Sequence, residues 1–188
     1  MAPNNNNKEI GKVLAVSKSP SHTLIKKSEP EVNLKQGLGV EGDAHFGEKV
    51  KHIFDAKRNP NKPNLRQVHL IHSELFQELS KKGLLVNPGE MGENITTSGI
   101  DLLNLPLDTV LSIGKRAKIK ITGTRKPCNQ LNQIQEGLMN AVIGKDAEGN
   151  ILFLAGVFAV VLRGGIIKVN DKILISLPIK SFQKLKPV

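Results

Sequence analysis

The chain has 188 residues, with 27 Lys and Arg against 17 Asp and Glu, so its formal net charge is +10. That length fits one domain with a real core, and the charge indicates an anionic partner such as nucleic acid, an acidic protein or a phosphorylated ligand. The chain has no Trp and no Tyr, whereas surfaces that bind single-stranded nucleic acid use clustered aromatics. We therefore expect no specific nucleic-acid binding.

The start of the chain does not resemble a signal peptide, because residues 1–7 are polar and rich in Asn. The longest apolar run, residues 151–162, is too short to span a bilayer. A single cysteine is typical of a reducing compartment. These features predict a cytoplasmic protein with no membrane partner.

The first third of the chain contains one clear strand signal. Residues 1–8 are predicted to be disordered because they are polar, and residues 9–17 have the apolar pattern of a strand. The glycine-rich residues 36–47 are not flanked by a strand and a helix in the way a phosphate-binding loop requires. The Pro- and Asn-rich residues 49–65 predict a mobile surface loop.

The middle of the chain alternates between strands and a helix. Residues 66–71 form a predicted strand, and Ser73 is expected to cap a helix that continues to about Lys82. Residues 109–113 and 117–122 are predicted strands. In the second of these, apolar residues alternate with Lys and Thr, which indicates a half-buried strand.

The last third begins with helical spacing over residues 129–143, which Gly137 interrupts. Residues 151–162 are apolar and β-branched, which predicts one buried strand. Glycine and Asn-Asp turns then separate two further strands, at residues 166–169 and 172–177.

Many short strands with glycine-rich turns and few helices predict a mainly β fold. We expect a strongly bent or closed β-barrel with a few peripheral helices. The expected organisation is a single domain over residues 9–180, flanked by the disordered residues 1–8 and a basic C-terminal tail at 181–188.

The chain's single cysteine, Cys128, lies in a polar and basic segment directly after Arg125, Lys126 and Pro127. Nearby cations favour the thiolate, which is the reactive form. Without a second cysteine, no intramolecular disulfide forms. From this segment alone, Cys128 is a nucleophile, a sulfur acceptor, a single metal ligand or an unreactive loop cysteine.

Several stretches follow one another along the chain: GVEGDAH at 39–45, RQVHLI at 66–71, GENITT at 92–97, GIDL at 99–102, Cys128, and GVFAVVLRGGIIKV at 156–169. Together they resemble the MOSC domain, the module named after the C-terminal part of molybdenum cofactor sulfurase. The resemblance covers about residues 11–175 and is to the small stand-alone bacterial members. Asn170 departs from the pattern, which has Gly before Asp, and the loop at 49–65 is longer than typical.

The resemblance implies a β-rich fold around a strongly bent barrel, with Cys128 at the mouth of a cleft. It also implies that Cys128 either carries sulfur as a persulfide or binds the molybdenum of molybdenum cofactor, an anionic pterin. No pyridoxal-phosphate domain is attached, so we expect no pyridoxal phosphate on this chain. A separate cysteine desulfurase would then supply the sulfur.

Six further residues are candidates for holding the cofactor. Arg suits phosphate because it binds bidentately, His suits acid–base work or phosphate binding, and an Asn amide offers both a donor and an acceptor. Ordinary surface charge or backbone bonding is the alternative for each. The candidates are His45, Arg66, Asn94, Arg125, Lys126 and Arg163.

Three functions remain open on the sequence. The first is a MOSC-type protein that binds molybdenum cofactor or carries sulfur on Cys128. The second is a molybdenum-dependent reductase of N-hydroxylated compounds, which would need a separate redox partner as electron donor. The third is a non-enzymatic basic binding module, in which Cys128 is dispensable.

Overall fold

The computed structural model describes residues 9–51 and 57–188. Its strands are β1 Glu9–Lys18, β2 Lys27–Glu29, β3 Glu31–Lys35, β4 Gly39–Val40, β5 Val68–His72, β6 Ile95–Ser98, β7 Val110–Ile113, β8 Ala117–Thr124, β9 Ile143–Lys145, β10 Ile151–Phe153, β11 Val157–Arg163, β12 Gly165–Lys168 and β13 Lys172–Ser176. Its helices are α1 Glu74–Lys81 and α2 Leu138–Ala141, and 3-10 turns occupy Leu102–Asn104 and Asn129–Gln133.

Seven strands form a closed barrel in the order β13, β7, β8, β11, β5, β6, β1, and the pairing of β1 with β13 closes the ring. Neighbouring strands are antiparallel except β5 and β6, which are parallel. β2 extends the sheet beside β1, and β12, β3 and β4 form a small separate sheet. The prediction of a mainly β, closed barrel is confirmed.

The barrel interior is filled by the apolar members of the alternating strands. On β8, Ile119 and Ile121 are fully buried, whereas Lys118 is exposed, as the period of two requires. A second apolar cluster lies outside the barrel, where Leu75 and Leu79 of α1 pack with Ile71 and with residues that follow Cys128. Leu131 and Leu138 thus anchor the segment that follows Cys128 to this second cluster.

The helix predicted over residues 129–143 is wrong in its extent. The chain forms a 3-10 turn over Asn129–Gln133 and then only the short helix Leu138–Ala141. Gly137 between them has φ +84°, a left-handed conformation that ends a right-handed helix. Ser73 does precede α1 as predicted, but its side chain makes no capping hydrogen bond.

The single strand predicted over residues 151–162 is also wrong, because the chain forms β10 and β11 with a break between them. Gly156 sits at the break with φ +91°, and a Cβ there would collide with the Leu70 carbonyl oxygen. Ile151 is 63% exposed, so β10 is not a core strand. It pairs with β9 outside the barrel.

The C-terminal residues lie against the barrel. Leu185 is buried in the main core, and the Thr124 amide donates to the Lys186 carbonyl at 2.9 Å. Residues 1–8, predicted to be disordered, and residues 52–56 of the loop predicted at 49–65 lie outside the described ranges.

Candidate functional site

The Cys128 loop begins where β8 ends at Thr124. The Arg125 amide donates to the Gly156 carbonyl at 3.0 Å, so the loop starts beside the break between β10 and β11. Pro127 is buried and Cys128 is exposed. The thiol donates to Gln130 Oε1 at 3.5 Å. A well-anchored loop therefore presents a solvent-accessible thiol.

Arg125 lies underneath this loop and is partly buried. Its guanidinium donates a short hydrogen bond to the Met91 carbonyl oxygen. Burial lowers the pKa of Arg125, and the adjacent Cys128 and Glu93 oppose that lowering. Because arginine stays protonated in proteins, the thiol has a fixed positive charge beside it.

A buried ion pair lies deeper in the same region. Asp43 follows β4 and Lys26 precedes β2, and Lys26 Nζ lies 2.7 Å from Asp43 Oδ2 with both side chains almost fully buried. Burial opposes ionisation of Asp43, but its hydrogen bond with His45 and the Lys26 charge outweigh this and hold the pKa of Asp43 well below its usual range. Asp43 is therefore a carboxylate at neutral pH.

Asp43 also orients His45. The His45 amide donates to Asp43 Oδ1 at 3.0 Å, and His45 Nδ1 lies 3.3 Å from the same oxygen. A carboxylate only accepts hydrogen bonds, so Nδ1 carries the proton and Nε2 is left as the acceptor of the neutral ring. His22 packs edge-on against His45, with ring centroids 5.0 Å apart. Burial lowers the pKa of His22, and His45 adds to the effect.

Glu93 is a second buried carboxyl group near Lys26 and Arg125. Burial raises its pKa, although its Oε1 accepts from the Gly89 amide at 2.5 Å and from the Thr96 hydroxyl at 3.1 Å. Its Oε2 is buried without a hydrogen-bond partner. Lys26, Asp43 and Glu93 therefore place three buried ionisable side chains near Arg125.

Asn94 is buried and serves the scaffold. Its amide nitrogen donates to the Ser17 carbonyl and to Asp43 Oδ2, at 3.1 and 2.9 Å, and its Oδ1 accepts from the His69 amide at 3.1 Å. Both amide hydrogens are thus used within the protein. Asn94 positions Asp43 and has no donor left for a cofactor.

Arg66 lies on the same side of the barrel, with its guanidinium carbon 5.7 Å from the centre of the Phe158 ring. This cation–π contact holds it near Arg125, whose pKa its charge lowers in part. Lys126 is exposed next to Cys128. Arg66 and Lys126 therefore add positive charge near the thiol, whereas the side-chain contacts of His45 are with Asp43 and His22.

Arg163 is not brought to this region. It pairs with Lys118 near the start of β8, whereas Cys128 follows Thr124 at the end of that strand. At about 3.3 Å per residue, the two ends of β8 lie roughly 20 Å apart. The structure thus separates Arg163 from the other five candidates.

Lys26, His22 and the central role of Asp43 were not predicted from the sequence. Lys26 stands in a Lys-Lys pair that is typical of a solvated surface, so no sequence signal marked it as buried. The Asp43-Ala44-His45 spacing did hold a signal, because an Asp two residues before a His commonly accepts from its backbone and ring.

Two grooves of the protein, of about 600 and 770 Å³, lie away from Cys128. Within the described ranges, no group of three or more His, Cys, Asp or Glu side chains is placed to hold a metal ion. None of the helices in that part of the chain has the length and apolarity needed to cross a membrane.

The protein is thus a closed β-barrel that presents one exposed thiol near buried ionisable side chains. The family model for the MOSC domain matches residues 41–174, well over half of the chain. The protein belongs to the MOSC domain family, which is associated with binding or sulfuration of molybdenum cofactor. The resemblance found in the sequence is confirmed.

Solved structures share the fold. The YuaD protein from Bacillus subtilis aligns with a TM-score of 0.73 and 22% identity, over 88% of this chain and 94% of that one. YiiM from Escherichia coli aligns with a TM-score of 0.59 and 18% identity, over 92% and 73% of the two chains. YiiM from Geobacillus stearothermophilus gives 0.57 and 17%, over 90% and 74%. None of the curated proteins compared with the chain matches it.

Proposed function

We propose that this protein acts on molybdenum cofactor through Cys128, which either carries sulfur as a persulfide or provides the thiolate ligand of the cofactor's metal. The observation that carries the proposal is the exposed Cys128 thiol held directly beside the Arg125 guanidinium. The Arg125 guanidinium supplies a positive charge that a negatively charged sulfur or an anionic cofactor would meet there. Membership of the MOSC family supports the choice of cofactor.

The residues around Cys128 fit an anionic pterin with a soft metal. Thiolate sulfur is a soft ligand of the kind that such metals prefer, and Arg66, Arg125 and Lys126 supply charge for a phosphate group. Molybdenum would supply electron-transfer chemistry when bound. The chain's own residues would bind and orient the cofactor. Arg125 provides a positive charge beside the sulfur, and His45 Nε2 can accept a proton.

Sulfur loading needs only a donor that carries a protein-bound cysteine persulfide, such as a cysteine desulfurase. The Cys128 thiolate attacks the terminal sulfur of that persulfide, one S–S bond forms on Cys128 and the donor's S–S bond breaks. The donor leaves as a thiolate, so no external oxidant or reductant is consumed. Because no second cysteine is present, the persulfide is not lost as an intramolecular disulfide.

The test compares wild type with Cys128→Ser, which keeps the shape but removes the soft sulfur. Each protein is incubated with a cysteine desulfurase and free cysteine, and its intact mass is measured. In a second arm each is offered molybdenum cofactor, and bound molybdenum is measured. We expect sulfur addition or molybdenum retention in the wild type and neither in Cys128→Ser.

Cys128→Ser is expected to fold normally because the side chain is exposed, and circular dichroism checks this. If the serine variant equals wild type in both arms, the cysteine-centred function is wrong, and the non-enzymatic binding module replaces it. Molybdenum retention without sulfur addition identifies Cys128 as a metal ligand. Reductase activity on N-hydroxylated compounds would then be assayed with an added electron donor.

A further inference from the structure

A second basic site lies at the end of the barrel away from Cys128. There a groove of about 770 Å³ is lined by residues of β3, of β12 and of the turn that joins β7 to β8. Arg163, at the end of β11, lies on its edge. The Arg163-Gly164-Gly165 motif, which has no part in the Cys128 site, thus belongs to this groove.

The groove carries an excess of positive charge. Five cations line it, from four different elements of the fold: Lys35, Lys115, Arg116, Arg163 and Lys168. The two carboxylates among the lining residues are Glu31 and Asp171, and Asp171 already accepts from the Lys168 amide at 2.9 Å. Among the described residues, Lys115, Arg116 and Arg163 form no ion pair.

The walls of the groove are held in place by the fold. A Cβ on Gly164 would lie 2.6 Å from the Leu34 carbonyl, so the β11–β12 turn is pressed against β3. Gln67, a buried residue, donates from Nε2 to the Gly37 carbonyl at 2.7 Å and accepts at Oε1 from the Val161 amide at 2.9 Å. The turn that carries Arg163 is therefore packed directly on β3.

We propose that this groove binds a small ligand with two or more phosphate groups. Arginine binds phosphate bidentately, and the volume falls in the range of small-molecule sites. The cations are spread over several elements, so a single phosphate group would leave part of them unused. The lining residues include no aromatic side chain on which a base could stack, which disfavours single-stranded nucleic acid.

The experiment uses inorganic pyrophosphate and the full chain at low ionic strength. Calorimetry is expected to show saturable binding, with shifts of the Gly164 and Gly165 amide signals in NMR spectra. Arg163→Gln and Arg116→Gln should each weaken binding roughly tenfold or more, as loss of a charged hydrogen bond implies. Lys81→Gln removes the same charge from the exposed end of α1 and should leave binding unchanged.

Cys128→Ser should also leave pyrophosphate binding unchanged. The pyrophosphate site and the proposed function of Cys128 are therefore tested independently. The proposal is overturned if the wild type shows no saturable binding, or if Lys81→Gln weakens it as much as Arg163→Gln. It is also overturned if a single-stranded RNA or an acidic peptide binds the same amides more tightly than pyrophosphate does.

Discussion

Asp43 receives hydrogen bonds from five nitrogen atoms, which belong to Ser19, Lys26, Asn94 and His45. The side chain thereby ties together three separate segments of the chain. It also neutralises a buried ammonium group and sets the orientation of a ring that faces the outside. One carboxylate thus supports both the fold and the proposed chemistry.

Asp43→Asn is expected to lower the free energy of unfolding by about 3 kcal/mol at pH 7, because it leaves the Lys26 charge buried without a partner. Urea unfolding measures the change. Asp108→Asn is the matched control, since Asp108 pairs with Lys120 on the surface and should lose less than about 1 kcal/mol. Equal losses in both variants would contradict the buried pair.

The pH dependence of Asp43→Asn has a definite sign. The folded-state pKa of Asp43 is depressed, so its contribution to stability is present above the ordinary carboxyl pKa of about 4 and is lost as the pH falls towards the folded value. The difference between wild type and variant should therefore shrink below pH 4. A constant difference down to pH 2 would contradict this.

Glu93→Gln should have the opposite pH dependence. Burial raises the pKa of Glu93, so its contribution is fully present below the ordinary carboxyl pKa and is lost as the pH rises through the folded value. Glutamine keeps an acceptor for the Gly89 amide and the Thr96 hydroxyl. In urea unfolding, we expect the variant to have the same free energy of unfolding as wild type at pH 4 and a higher one at pH 8. The same difference at both pH values would show that burial does not raise the pKa of Glu93.

At the scale of the elements, the break between β10 and β11 positions the Cys128 loop. Gly156 allows this break because its backbone approaches Leu70 without a Cβ, and its carbonyl accepts from the Arg125 amide. The same break turns β10 out of the barrel to pair with β9. A local backbone conformation therefore decides where the thiol loop begins.

Gly156→Ala is expected to cost more than about 3 kcal/mol, because it adds both a steric collision and a left-handed backbone penalty. Gly149→Ala is the control: φ there is +83° but no atom lies within 4 Å of the added Cβ, so only the backbone penalty of about 1 kcal/mol applies. Thermal unfolding compares the two variants. Similar melting temperatures would show that the contact with β5 is unimportant.

At the scale of the whole molecule, the ring closed by β1 and β13 leaves the C-terminal residues to run along the outside and to insert Leu185. Those residues form two hydrogen bonds with Thr124: its amide donates to the Lys186 carbonyl, and its carbonyl accepts from the Val188 amide. The end of the chain thus steadies the strand that leads to Cys128.

Leu185→Ala should destabilise the protein by about 2–4 kcal/mol, the usual cost of a cavity in a core. It should also speed hydrogen exchange at the Thr124 amide. Leu177→Ala, at a site that is 65% exposed, should change stability by less than about 0.5 kcal/mol. If Thr124 exchange stays slow in Leu185→Ala, the C-terminal residues do not support β8.

The sequence by itself determined the class of fold and the family, and it singled out Cys128 as the candidate reactive residue. Alternation on β8, turn residues between short strands and the ordered motifs around one cysteine were enough, because these signals are local or need only their order along the chain. The same information made Arg125, His45 and Arg66 candidates for the site, and of these the structure places Arg125 beside the thiol and Arg66 near Arg125.

Only the tertiary structure decided which charges are buried and which candidates meet. In the sequence, Lys26 has the pattern of a surface residue. In the fold it is buried against Asp43, in a region where Asn94 bonds to Ser17 of β1, 77 positions away. Arg163 lies in one of the stretches that resemble the MOSC domain, yet strand β11 places it at the end of the barrel away from Cys128. Burial and strand direction are properties of the closed sheet, and no local pattern encodes them.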